Sequence, residues 1–179
     1  LLGRGSGDTY AVFLLPLERE FGWARSQLTG VYSAYLLVGA FMAPLAGTLV
    51  DRFGPRVTYT AGLLVLAAAF FLASSIGNLW EFYLFIGGTI GIGVGLVGMV
   101  PASTLITRWF RERISTAIGI VFAAGGMGGL LFVPSVQVML GAYDWRIVYQ
   151  MLGVLMLAAA PIAALGVPWR EFLRGDPML

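Results

Sequence analysis

Uncharged, mainly apolar stretches alternate with short charged clusters along the whole of this chain. A helix needs about 20 such residues to cross a hydrocarbon core of roughly 30 Å. Cutting the chain at its charge clusters yields six stretches of that size: 1–17, 28–50, 57–76, 82 to about 107, about 114–140 and about 147–167. The pattern predicts an all-α polytopic membrane protein with six transmembrane helices, whose short connections set neighbours antiparallel. Small residues recur every fourth position inside these stretches, at Gly39, Ala43 and Gly47, at Gly87, Gly91 and Gly95, and at Gly125 and Gly129. Each series forms a smooth stripe that lets backbones approach, which matters in lipid because no hydrophobic effect drives helices together. Pro44, Pro101, Pro134 and Pro161 fall within stretches and offer places to bend.

Composition strengthens the membrane reading and removes most others. Hydrophobic residues make up 59% and charged ones 11%, against about 45–50% and 25% in soluble domains. The mean hydropathy is +0.87. Cysteine and histidine are both absent, so disulfide scaffolds, thiolate chemistry, His-ligated zinc and Ser-His catalysis all lapse. No enzyme activity, metal or cofactor is expected. All 11 basic residues are arginine, and the densest group is Arg108, Arg111 and Arg113, too sparse for a nucleic-acid partner.

Their distribution instead reports orientation. Arg52, Arg56, Arg108, Arg111, Arg113, Arg170 and Arg174 fall on one side, and Arg19, Arg25 and Arg146 on the other. Short basic loops stay cytoplasmic, so both ends of the chain are expected inside a bacterial inner membrane. Trp23, Trp80 and Trp145 on one side and Trp109 and Trp169 on the other sit where indoles meet headgroups. Leu1 has no upstream flank or basic leader, as expected of an internal fragment.

Between the second and third stretches the chain reads Gly47-Thr-Leu-Val-Asp51-Arg52-Phe-Gly54-Pro-Arg56. This resembles the G-x-L-x-D-R-x-G-x-R/K loop of the major facilitator superfamily, in the position that family gives it. The resemblance implies the N-terminal half of a twelve-helix transporter, built as a three-plus-three inverted repeat over residues 1–179, with a C-terminal half of the same chain absent. In physical terms Gly47 admits a neighbouring helix, Asp51 can face a helix N-terminus or an arginine, and Gly54 permits a tight turn. Arg52 and Arg56 can pair with acids or lipid phosphates. Three further segments are similar to monocarboxylate transporters and oxalate/formate-type antiporters: Trp109 to Arg113 with Ala117, Gly119, Ala124, Gly125, Gly128 and Pro134; Asp144-Trp145-Arg146; and Phe21-Gly22-Trp23-Ala-Arg25-Ser26. Glu112 departs from the basic residue of the monocarboxylate pattern, and the G-P-x-x-G-G antiporter signature of the fifth stretch is missing.

Only Arg4 and Asp8 place charge well inside a stretch. A charge at a helix centre costs on the order of 2.5–3.5 kcal/mol, so it is a functional candidate by default. At i and i+4 the two share one helix face and can pair. Arg4 can fork onto a carboxylate, while Asp8 can take a proton or hold Arg4. Tyr10 and Tyr35 are the neighbours singled out for substrate contact among Tyr10, Tyr32, Tyr35, Ser103, Thr104, Gln137 and Gln150. Glu18 and Glu20 read as solvated loop acids. Glycine runs at Gly3, Gly5 and Gly7 and at Gly87 to Gly98 fall in the first and fourth stretches, counterparts in the repeat, and point to a midplane site. The reading that results is a secondary transporter of a small organic anion, a mono- or dicarboxylate, moved by alternating access with or without a proton. A homodimer of six-helix chains and a non-transporting receptor of the same fold are the alternatives.

Overall fold

The computed structural model describes residues 2–98, 102–103 and 114–166. Helices α1 (Leu2–Asp8) and α2 (Tyr10–Phe21) form the first segment, α3 (Arg25–Phe53) the second and α4 (Pro55–Ala73) the third. In the fourth, α5 (Leu79–Phe82), a π-helical stretch (Tyr83–Ile90) and α6 (Gly91–Val97) follow end to end. Helices α7 (Ile114–Ala142) and α8 (Trp145–Leu165) complete the bundle, and no strand occurs among the described residues. The second to sixth segments each contain a helix long and apolar enough to cross a membrane.

The first segment is helical as 1–17 predicts but tightens at Thr9, whose N–H reaches the Gly5 carbonyl at 3.2 Å while Val12 N–H closes onto the Thr9 carbonyl at 3.0 Å. Three glycines there weaken the helix, and the hydroxyls offer the backbone competing bonds. Ser6 Oγ donates to the Gly3 carbonyl at 2.9 Å and Thr9 Oγ1 to the Ser6 carbonyl at 2.7 Å. The fourth segment is irregular too, through its π-helical stretch around Gly87 and Gly88. These two irregular stretches meet: Ser6, Gly7 and Thr9 face Ile86 and Ile90 across a cavity of about 10 Å³. Helix ends elsewhere are set by side chains. Asn78 Oδ1 accepts from Glu81 N at 3.0 Å, and Asp144 Oδ1 from Arg146 N at 2.9 Å. Gly54, at φ +84°, turns the chain between α3 and Pro55 at the head of α4.

Glycine contacts assemble the bundle around the fourth segment. A methyl group at Gly87, Gly91 or Gly95 would lie 3.1 Å from Ala34 Cβ, 2.9 Å from Val38 Cβ and 2.6 Å from Met42 Cβ. Two i, i+4 rows thus interlock, one of glycines and one of α3 side chains. On the other flank Gly93 receives Leu66 of α4, and Gly153 of α8 receives the Phe71 ring. Helix α1 seats Gly5 against Phe132 of α7. Phe13 and Tyr149 stack at 4.0 Å in the centre, whereas Phe41, Leu130, Val138 and Leu165 are at least 70% exposed, as befits an apolar surround.

Gly91→Val is therefore expected to cost about 1–3 kcal/mol by forcing α3 off the fourth segment. Gly119→Ala, which meets nothing within 4 Å, should leave stability unchanged. Thermal unfolding in detergent compares the two.

Candidate functional site

The tightened turn at Thr9 places Asp8 at the last position of α1 and Tyr10 at the first of α2. Asp8 is half-buried and turned toward α7, where a methyl group at Gly129 would sit 2.8 Å from its Oδ2. The fifth-segment glycine stripe thus makes room for a carboxylate. Tyr10 stacks on Tyr32 at 5.6 Å and on Phe82 at 6.0 Å, and Tyr32 lies 5.5 Å from Tyr35. The Tyr10 hydroxyl donates to the Leu28 carbonyl, so Tyr10 offers its ring, not its hydroxyl. The Tyr35 hydroxyl rests over Gly7, where any larger residue would collide with it.

Two cavities flank this cluster. One of about 330 Å³ is bordered by Asp8, Tyr32, Tyr35, Gly39, Ala43 and Gly98, among others, and one of about 190 Å³ by Asp8, Tyr10, Ala11, Leu14, Thr29 and Tyr32. Asp8 and Tyr32 border both and so stand at the partition. The first volume is ample for a small organic ligand. Asp8 is the only carboxylate bordering either cavity among the described residues. The structure thus brings Asp8, Tyr10 and Tyr35 together and adds Tyr32 as an equal partner. Gln137 lines a separate cavity, and Gln150 is exposed on α8. The Arg4 backbone belongs to α1, while its side chain and Thr104 lie outside the described residues.

The loop residues from Gly47 to Arg56 gather at the opposite end of α3. Gly47 is partly buried in the helix, Asp51 and Arg52 are exposed in its last turn, and Arg56 is exposed in the first turn of α4. The Arg52 guanidinium lies 5.5 Å from the Phe53 ring centre. Arg108, Arg111, Glu112 and Arg113 lie outside the described residues.

Glu20 is exposed, as the sequence suggests, but it lies in the last turn of α2 rather than in a loop, and its carboxylate is partnered. Trp145 Nε1 donates to Glu20 Oε2, and Arg146 Nη1 donates to Oε1 at 2.6 Å, while the Arg146 guanidinium stacks 4.3 Å over the Trp145 ring. This ties the end of α2 to the start of α8. The two segments Phe21-Gly22-Trp23 and Asp144-Trp145-Arg146 carried the signal separately, but their meeting, across a sequence separation of 125 from Glu20 to Trp145, is a tertiary fact.

The Trp145 hydrogen bond, followed by Arg146, holds the Glu20 carboxyl below its usual value of 4.5. A lowered value in the folded state means that the bond contributes above about pH 4.5 and is lost as pH falls through the folded value. Wild type is therefore expected to lose thermal stability between pH 5 and pH 3 more steeply than Glu20→Gln, which starts lower at pH 7. Melting curves across that range read the difference.

Comparison with known proteins fits this arrangement. The family model described as Major Facilitator Superfamily matches residues 2–175. The chain is similar to Monocarboxylate transporter 11 of Homo sapiens, with 28% identity over 161 residues, 90% of this chain and 34% of that protein. It is also similar to "Probable transporter MCH2" of Saccharomyces cerevisiae, with 31% identity over 151 residues, 82% of this chain and 32% of that protein. Monocarboxylate transporter 13 of Bos taurus is 29% identical over 152 residues, 85% of this chain and 34% of that protein. The chain spans about a third of the length of these curated relatives.

Proposed function

Because the chain belongs to the Major Facilitator Superfamily, we propose that it is the N-terminal six-helix bundle of a secondary transporter for a small organic anion, a mono- or dicarboxylate. The observation that carries this reading is the pair of cavities parted by Asp8 and Tyr32 at the tightened turn in the first segment. Irregular backbone within a membrane is tolerated where it is enclosed by protein or lines a cavity. Here both irregular stretches border cavity, in the first and fourth segments that a three-plus-three repeat would pair. The names of the relatives supply the carboxylate class.

Arg4, one turn before Asp8, binds the substrate carboxylate by its planar fork. Asp8 carries the coupled proton, Tyr35 and Tyr32 bound the substrate, and Tyr10 fixes the wall between them. The loop of Gly47, Asp51, Arg52, Gly54 and Arg56 holds one conformer of the alternating cycle against the C-terminal half. The arginine asymmetry supports a cytoplasmic side for this loop and both chain ends, with Trp145 on the opposite side.

The test reconstitutes the full-length protein in proteoliposomes and follows labelled pyruvate, lactate and oxalate under an inward proton gradient. At least one of these should accumulate. If none accumulates or exchanges, the reading fails, and accumulation by residues 1–179 alone would favour a homodimer. A Gly54→Cys probe should label only from the cytoplasmic side.

A further inference from the structure

Three arginines stand at the Trp145 end of the bundle, and two are committed to carboxylates. Arg146 engages Glu20 at 2.6 Å, and Arg25 Nη2 faces Glu18 Oε2 at 3.7 Å. Arg19 has no carboxylate within 4.0 Å among the described residues. It borders a further cavity of about 470 Å³ between α2 and the last turns of α7. Gln137 and Tyr143 add polar groups to this lining, while Leu15, Leu140 and Trp145 supply an apolar wall. Asp144 also borders it, with Oδ1 occupied by the Arg146 backbone N–H.

We propose that Arg19 is a capture site for the carboxylate of an organic anion that carries an apolar body. The inference rests on the transport reading and deepens it, by naming where the anion is first held. Arginine's fork suits a carboxylate, Gln137 can donate beside it, and the Leu15 and Leu140 wall receives the apolar part. Arg19 is exposed at the rim of this open cavity, where its charge raises the local anion concentration at the entrance. The cavity also lies on the way to Asp8. Ala11 borders both it and the 190 Å³ cavity, which Asp8 and Tyr32 in turn share with the 330 Å³ one. Arg19 and Asp8 are separated along the first segment by roughly 16 Å at 1.5 Å per residue. An anion released from Arg19 therefore moves along one face of the first segment toward the site at the tightened turn.

Gly141 borders the same cavity, and a side chain built there meets nothing within 4 Å, so it accepts a reporter. In the full-length protein with other cysteines replaced, Gly141→Cys is reacted with a sulfonate-bearing thiosulfonate and with its trimethylammonium counterpart, with and without benzoate. Arg19→Gln should slow the sulfonate reagent relative to the cationic one by about tenfold and abolish protection by benzoate. Arg19→Lys should restore the reagent preference while protecting less, because a point charge lacks the fork. Unchanged reagent preference in Arg19→Gln, or equal benzoate protection with and without Arg19, overturns the site. Uptake measured in parallel separates the two readings. Arg19-dependent protection without carboxylate transport would defeat the transport reading and leave the capture site standing.

Discussion

Asp8→Asn in the full-length transporter is expected to reduce accumulation driven by a proton gradient to the equilibrium level while carboxylate exchange continues. Asparagine keeps the shape that fits against Gly129, so α1 stays on α7. What it removes is the group proposed to carry the proton, at a position where Asp8 is the only carboxylate bordering the two cavities among the described residues. In the proposed cycle, substrate arriving at Arg4 competes with Asp8 for the guanidinium. Proton and anion then cross together. If accumulation and exchange fall together, Asp8 only orients Arg4. Wild-type accumulation in the variant contradicts coupling altogether.

Asp51→Asn is expected to lower the transport rate by more than about tenfold with little change in thermal stability. An acid in the last turn of α3 opposes the dipole of its own helix. Asparagine removes that repulsion, and exposed substitutions usually move stability by no more than about 0.5 kcal/mol. A role in holding one conformer against another is a coupling of about 1–3 kcal/mol, or 5–150-fold. Uptake rates and melting curves on the same preparation decide it. Unchanged uptake with a lowered melting point would make Asp51 a structural residue.

The six segments were legible because lipid imposes a length and a polarity that periodic apolar runs display directly. Gly54 and the fourth-segment glycines were legible for a similar local reason: a positive φ or a close helix approach demands that residue. The charge at Asp8 was conspicuous against an apolar stretch. The tightening at Thr9 was not, because it depends on Ser6 and Thr9 hydroxyls turning back onto the chain, which composition alone does not force. Tyr32 could not be ranked above Tyr10. Only the fold shows that the Tyr10 hydroxyl is spent on Leu28 while Tyr32 borders two cavities. The partners of Glu20 were not legible, because Trp145 and Arg146 are remote in sequence and meet it only once the start of α8 lies beside the end of α2.

The most direct measurement is substrate protection at Ala43, which borders the 330 Å³ cavity from α3. In the full-length protein, Ala43→Cys is exposed to a water-soluble thiol reagent with and without a transported carboxylate. Labelling that the carboxylate slows, and that Asp8→Asn leaves dependent on substrate, is the expected result. Labelling that proceeds at the same rate with saturating substrate contradicts the placement of the transport route beside Asp8.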